Sequence, residues 1–218
     1  MKADFWHARW ERGEIGWHRD ETDPHLPAHW PALGVPPGAP VFVPLCGKSL
    51  DLCWLRGEGH PVTGVEVSPL AVADFFRENE LTPRVAKAGR FERWEADGVV
   101  LLCGDFFDLL PADLEGVAAV YDRASLIALP PVMRQRYAEH LKQVLPARAG
   151  ILLLTLDYPQ EEMDGPPFAV SEEEVRRLYD DAFEIAVLES DDALAGHTGL
   201  QARGVTRLTE RVYRLLPR

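Results

Sequence analysis

The sequence predicts an α/β fold: a seven-stranded, mostly parallel sheet with helices on both faces and an antiparallel hairpin at its carboxyl end. Three observations predict it. Short apolar runs recur along the chain and alternate with helical stretches, the pattern of parallel strands buried on both faces. The stretch Val41 to Ser68, VFVPLCGKSLDLCWLRGEGHPVTGVEVS, reads as one strand–turn–helix–strand unit. The last two strand-like runs, Phe183 to Glu189 and Thr209 to Leu216, are joined by the polar stretch Ser190 to Arg207. That leaves no room for a helical crossover, so the two are expected as antiparallel neighbours at a sheet edge.

A chain of 218 residues can bury one sizeable core and is short for two domains. We read a single domain over 1–218, with an N-terminal lid and connector over 1–40 and an α/β core over 41–218. Hydrophobic residues make up 46% and charged residues 27%, as in globular proteins, and no run approaches the ~18 apolar residues of a membrane span. The start, MKADFWHARWERGEIGWH, lacks an apolar signal core, so the expected location is cytoplasmic. Twenty-three basic against 35 acidic residues give a net charge of −12, which repels nucleic acid and anionic lipid and favours a small-molecule partner. Cys46, Cys53 and Cys103 have neither zinc-ligand spacing nor an even count.

From the amino end, Phe5, Trp6, Arg9 and Trp10 share one side of a short helix, and Trp17-His18 follow two glycines. So many aromatics must dock on something: the domain surface, or a planar ligand over which tryptophan faces attract a cation such as a sulfonium. Asp23 to Pro40 holds six prolines and reads as a wrapping connector with at most one short helix near 25–33. His25 and His29 sit four apart as metal ligands can, but no third ligand is near, and no metal is expected.

Val41 to Leu45 is the first strand, Cys46-Gly47-Lys48-Ser49 the turn, and Leu50, Cys53 and Trp54 a helical stripe ended by Gly57 and Gly59. Val62 to Val67 follows, with Glu66 near its carboxyl end. Gly47 lets bare backbone approach a ligand, and an acid at the second strand's tip can accept hydrogen bonds from both hydroxyls of a ribose. A dinucleotide calls for G-x-G-x-x-G, yet this turn has one glycine. A triphosphate loop needs a glycine where Phe42 stands inside the strand. S-adenosylmethionine carries a ribose and no phosphate, so it fits best of the three; a unit with no ligand and a merely solvated Glu66 is the alternative.

Ser68 is the expected cap of a helix over 69–79 with Pro69 at its first position. Val99 to Cys103 is a buried strand, followed by Gly104-Asp105-Phe106-Phe107, where Asp105 is either a helix cap or the edge of an adenine site. Val117 to Tyr121 is the next strand, ending in Asp122-Arg123-Ala124-Ser125 at the carboxyl edge where such sheets bind ligands. Arg123 there needs an anion: Asp122, Asp105, an anionic substrate or a cofactor carboxylate. A helix from Pro130 to Leu145, a strand Ile151 to Leu156, a loop Asp157 to Phe168 and a helix opened by a Ser171/Glu174 capping box precede the final hairpin.

Five β/α repeats closed by a hairpin is the class I S-adenosylmethionine-dependent methyltransferase plan, a Rossmann-like fold, rather than a dehydrogenase plan. The motifs Trp6…Arg9-Trp10…Gly16-Trp17-His18, Val43-Pro44-Leu45-Cys46-Gly47-Lys48-Ser49…Asp51-Leu52, Gly64-Val65-Glu66, Gly104-Asp105-Phe106-Phe107, Tyr121-Asp122-Arg123-Ala124 and Gly165-Pro166-Pro167-Phe168 together resemble the thiopurine S-methyltransferase family in its bacterial form. The resemblance runs in order from about residue 5 to 216. It implies S-adenosylmethionine as methyl donor, with S-adenosylhomocysteine as product, and an aromatic or heterocyclic thiol as acceptor, with selenium and tellurium compounds associated with bacterial members. It carries cofactor contacts onto Trp10, Leu45, Glu66 and Arg123, with Gly47, Asp105 and Phe106 beside them. Substrate contacts fall on Trp17, His18 and Arg123. No catalytic acid or base is expected, because an aromatic thiol is largely ionised near neutral pH; the enzyme is expected to be a monomer. A halide or O-methyltransferase on the same fold and a non-catalytic nucleoside-binding protein are the alternatives. The sequence departs from the mammalian pattern near Trp17 and over 190–207.

Overall fold

The computed structural model describes residues 3–218. Among these, nine strands form one sheet: β1 (Val41–Val43), β2 (Val62–Glu66), β3 (Arg84–Ala88), β4 (Phe91–Ala96), β5 (Val99–Cys103), β6 (Ala119–Asp122), β7 (Gly150–Asp157), β8 (Phe183–Asp192) and β9 (Thr209–Pro217). Their order is β3-β4-β5-β2-β1-β6-β7-β9-β8. The five expected parallel strands are its centre, paired in register β5-β2-β1-β6-β7. The final hairpin pairs antiparallel as expected, β9 against β7 and β8 outermost.

The expectation of seven mostly parallel strands is corrected: the sheet has nine, and its eight pairings divide evenly between parallel and antiparallel. The two additional strands, β3 and β4, form a hairpin against β5. β3 is almost wholly exposed and presents no apolar alternation. Asp97 and Gly98 both have positive φ (48° and 79°) between the paired residues Ala96 and Val99. Such a two-residue turn matches the right-handed twist of the strands it joins.

Helices cover both faces. On one lie α2 (His25–His29), α3 (Asp51–Gly57) and α4 (Pro69–Glu78), burying Leu26, Leu52, Leu55, Val72, Phe75 and Phe76 against Val41, Val43 and Tyr121. On the other, α5 (Pro131–Val144) and α6 (Glu172–Tyr179) bury Tyr137, Leu141, Val175 and Tyr179 against Phe42, Val120 and Leu153. The central strand β1 is buried on both faces, which is why it reads as an unbroken apolar run. Ser68 caps α4 by accepting from the Ala71 amide at 3.3 Å. Ser171 caps α6 through the Glu174 amide at 3.2 Å. The second half of the expected capping box does not close, because the Glu174 carboxylate pairs at 3.0 Å with the buried Arg134 guanidinium, which would otherwise lack an anion.

The connector is packed rather than draped. Leu26 is fully buried, worth about 2 kcal/mol. The Trp30 indole donates to His60 Nε2 at 3.3 Å, so His60 carries its proton on Nδ1, which lies 2.9 Å from the Ala39 carbonyl oxygen. Ahead of it, α1 (Ala3–Glu11) reaches the sheet edge through His7 Nε2, 3.0 Å from the Val67 carbonyl oxygen. The stretch read as a loop between β8 and β9 holds a 3₁₀ turn and the short helix α7 (Thr198–Ala202). Among the described residues no helix is long and apolar enough to cross a membrane.

Candidate active site

The chain runs from β1 outward through β2 to β5, then returns to place β6 on the other side of β1. Ligands of such sheets bind where the order reverses, beyond the strands' carboxyl ends. A cavity of about 560 Å³ opens there, a volume usual for small-molecule sites. Its floor includes Val43, Leu45, Gly47, Glu66, Tyr121, Arg123, Ala124 and Leu154 to Leu156, and its cover includes Trp6, Trp10, Trp17 and His18.

The turn after β1 is left-handed at two points, which costs strain only at the non-glycine one. Leu45 has φ 43° and Gly47 φ 54°, both left-handed. On the neighbouring β6 turn Ala124 has φ 64°. The Ser125 hydroxyl ties the two turns together by donating to the Pro44 carbonyl oxygen at 2.8 Å. Non-glycine residues hold such angles only where the surroundings impose them, commonly at ligand sites. A Cβ on Gly47 would stand 3.2 Å from the Trp10 ring, so the glycine also lets that indole close over the turn.

Glu66 is the anchor of this end. Its carboxylate accepts from the Gly47 amide at 3.0 Å on one oxygen and from the Ser68 amide at 2.7 Å on the other. A carboxylate offers about four lone-pair sites, so acceptor capacity remains for a further donor. Burial raises the Glu66 pKa, and the amides of Ser68, Gly47 and Val67 oppose that rise. A buried acid held by two backbone amides with acceptor capacity to spare is what a pair of vicinal hydroxyls requires.

Arg123 corrects the expected pairing. Its partner is neither Asp122 nor Asp105: Nε donates to Asp51 at 2.7 Å, Nη2 donates to Ser49 at 3.1 Å, and Asp23 lies 3.9 Å away. Burial pulls its pKa down, but Asp51 and Asp23 more than offset this and raise it. Asp51 in turn accepts from the Asp23 amide at 2.8 Å, so Arg123 fastens the connector to α3. Asp122 points into the core, where it accepts from the Tyr137 hydroxyl at 2.6 Å and burial pushes its pKa up to about 6.

The aromatic cover is a chain of edge-on contacts, Trp6 to Trp17 at 5.4 Å and Trp17 to Trp10 at 5.9 Å. His18 is held below its usual pKa by burial and then by the Lys48 charge, so it sits neutral in the wall. Trp10, Leu45, Gly47, Glu66, Arg123, Trp17 and His18 therefore meet in one cavity. Asp105 and Phe106 do not line it. Asp105 is exposed and caps the following turn through the Phe107 amide at 2.9 Å, while Phe106 stacks on Tyr137 in the core at 4.7 Å.

The far end of the cavity holds residues that the sequence reading did not single out: Ile127, Leu156, Leu200, His197 and Glu210, alongside Pro166 and Pro167 of the loop after β7. These come from scattered segments, and nothing in their local spacing marks them. Cys46 is buried with its thiol pKa well raised, by burial first, which removes it as a nucleophile. His25 and His29 bracket the Glu189 carboxylate, His25 Nε2 at 3.4 Å and His29 in direct contact. Among the described residues no cluster of three His, Cys, Asp or Glu could hold a metal ion.

A family model described as Thiopurine S-methyltransferase matches residues 1–218. The Thiopurine S-methyltransferase of Pseudomonas fluorescens (strain Pf0-1) is 54% identical over 215 residues, 99% of each chain. That of Nitrosospira multiformis is 52% identical over 218 residues, covering all of this chain and 99% of the relative. Among solved structures, a methyltransferase from Anabaena variabilis superposes with TM-score 0.64 at 15% identity, over 99% of this chain and 95% of that one. A Burkholderia thailandensis 1,6-didemethyltoxoflavin-N1-methyltransferase, solved with S-adenosylhomocysteine, gives 0.61 at 16% over 98% and 87%. At these identities the structures share the class I fold with this chain.

Proposed function

The chain belongs to the thiopurine S-methyltransferase family, and from that premise we propose that it transfers the methyl group of S-adenosylmethionine to the sulfur of a thiopurine or related heterocyclic or aromatic thiol. The observation that carries this reading is the Glu66 carboxylate held between the Gly47 and Ser68 amides at the point where the strand order reverses. It suits a ribose without a phosphate, since a phosphate beside Glu66 would be repelled.

The donor fits these residues. Glu66 would take the ribose hydroxyls, the Leu45–Gly47 turn would carry the amino-acid side, and Trp10 would close above it. S-adenosylmethionine supplies a methyl group on a sulfonium, which the attacking sulfur takes as neutral S-adenosylhomocysteine leaves. The residues do the rest by position. The floor from Arg123 to Leu156 and the Trp17 cover hold the acceptor in line with the donor, an effect able to supply ~7–11 kcal/mol. The indoles also exclude water, which strengthens the field inside. The protein needs no general base for a thiol already ionised near neutral pH, and neutral His18 serves as wall rather than proton carrier. Asp105 caps a turn and Phe106 fills the core, and neither is among the residues that line the cavity.

We read the enzyme as a monomer, and as cytoplasmic, since its three cysteines are free thiols. The test is calorimetric titration with S-adenosylhomocysteine, followed by turnover of 6-mercaptopurine, thiophenol, a phenol and iodide with labelled donor. Transfer to the thiols is expected. Donor binding with transfer only to the phenol or iodide, or with no transfer at all, would overturn the proposal.

A further inference from the structure

We infer that Glu210 selects the acceptor: its carboxylate, with His197 beside it, takes a hydrogen bond from a ring N–H of a heterocyclic thiol whose sulfur faces the donor. This rests on the S-methyltransferase reading above and names the acceptor class within it.

Glu210 lies on β9 opposite Leu156 of β7, at the same sheet edge as Glu66. From β2 to β9 there are four strand steps, β2-β1-β6-β7-β9, at about 4.8 Å each, so the two acids stand roughly 19 Å apart across the floor. The donor's sulfur is joined to its ribose through a single carbon. With the ribose on Glu66, the reacting methyl group therefore sits over β1 or β6, and the space over β7 and β9 is left to the acceptor.

The walls of that space are apolar, formed by Ile127, Leu156, Pro166, Pro167 and Leu200. The polar groups among them are Glu210, His197, Thr198 and Arg203, the last committed to the Pro166 carbonyl oxygen at 3.1 Å. The Glu210 side chain is 18% exposed, and the nearest ring nitrogen, His197 Nε2, lies at 3.6 Å, beyond hydrogen-bond distance. Among the described residues no group donates a hydrogen bond to this carboxylate. A half-buried acid without a protein donor keeps its acceptor capacity for a ligand, so this end favours a ligand that brings an N–H. An ionised purine-type thiol keeps one ring N–H, on its imidazole ring, and the N9 tautomer presents it on the edge away from the exocyclic sulfur. A plain thiophenol presents none.

The experiment measures kcat/KM for 6-mercaptopurine and for analogues with each ring N–H blocked in turn by methylation. Wild type is compared with Glu210→Gln and Glu210→Leu, and each variant's thermal transition checks its folding. In wild type, blocking the N–H that faces Glu210 should lower kcat/KM roughly 10–100-fold. In Glu210→Leu that ratio should collapse to within about threefold, with Glu210→Gln between. A ratio unchanged by the variants, or an equal fall for parent and analogue, overturns the inference. So does a wild-type loss under threefold for every blocked analogue, a result that needs no variant to fold. Absence of transfer to any thiol in wild type would instead sink the function itself, so the two failures are told apart.

Discussion

The two ends of the cavity are built by different means. At the donor end, Glu66 and Gly47 are fixed by main-chain amides and by strands in the middle of a parallel ladder. At the acceptor end, the walls come from the N-terminal segment, the loop after β7 and the stretch before β9. Side chains hold these pieces together: the Tyr158 hydroxyl donates to the Pro167 carbonyl oxygen at 2.6 Å, and Arg203 to that of Pro166 at 3.1 Å. A backbone-built site can change little without breaking the sheet. A side-chain-built site can be reshaped one residue at a time, and that asymmetry lets one donor serve many acceptors.

The largest expected effect tests the donor end. On the proposed reading, Glu66→Ala would remove two charge-assisted bonds to the ribose and leave the Gly47 and Ser68 amides unpaired, so affinity for S-adenosylhomocysteine should fall by about 3 kcal/mol. Calorimetry decides it, and a loss below tenfold would break the contrast. Burial raises the Glu66 pKa. Donor affinity should therefore be complete well above the ordinary carboxylate range and fall as the pH drops through that raised value, sooner than a solvent-exposed acid would allow.

The same contrast governs what the sequence discloses. The Gly47 turn and Glu66 are legible because strand, turn and acid are neighbours along the chain and the sheet repeats them in a fixed order. Ser68 and Ser171 are legible as caps for the same local reason. Arg123 is legible as a buried cation, but its partner Asp51 lies 72 residues away, and only the packing of α3 on the sheet brings them together. Asp105 makes the cap, one of its two readings, while the stacking of Phe106 on Tyr137 is a long-range contact that the motif does not disclose. The β4–β5 turn carries a readable signal, Asp97-Gly98, outweighed by the charged, exposed β3 before it. Glu210 and His197 carry none, because a half-buried acid in an edge hairpin resembles any solvated one.

Next in size is a change between the two ends. Asp122 lies on β6 but faces the core, and burial lifts its pKa to about 6. Between roughly pH 4 and 6 the native state keeps a proton that the unfolded chain has released, so stability falls as pH rises through that window and the loss is constant above it. Asp122→Asn keeps the Tyr137 hydrogen bond without the charge. It should raise stability by about 2 kcal/mol at pH 7.5, with the gain vanishing near pH 4 in paired denaturant melts. A gain equal at both pH values would show that the buried carboxyl is not what titrates.

Trp17→Ala should separate the ends most directly. Its ring touches Trp6 and Trp10 edge-on, contacts worth about 0.5–1.5 kcal/mol each. Loss of the ring should raise the acceptor's KM about tenfold while changing S-adenosylhomocysteine affinity less than threefold. Equal losses for both ligands would mean that the cover belongs to the donor end as much as to the acceptor end.

The smallest expected effect concerns how the connector is latched beside the acceptor end. His25 Nδ1 lies 2.9 Å from Asp23 and Nε2 3.4 Å from Glu189. Only the imidazolium can donate to both carboxylates, and Asp191 and Glu210 add negative charge nearby. The Asp23 hydrogen bond raises the His25 pKa first, against the opposing effect of burial. A raised histidine stabilises the fold fully below its unfolded value near 6.5, and that contribution is lost as pH climbs through the folded value. Because Asp23 leads on to Asp51 and Arg123, what His25 holds is the outer end of a chain that reaches the cavity floor. His25→Gln should therefore cost about 0.5–1 kcal/mol near pH 6 and almost nothing above pH 9, read as the difference in melting midpoint from wild type. A deficit that stayed the same across that range would assign His25 a packing role beside Leu26 and Trp30, with no part in a charged latch.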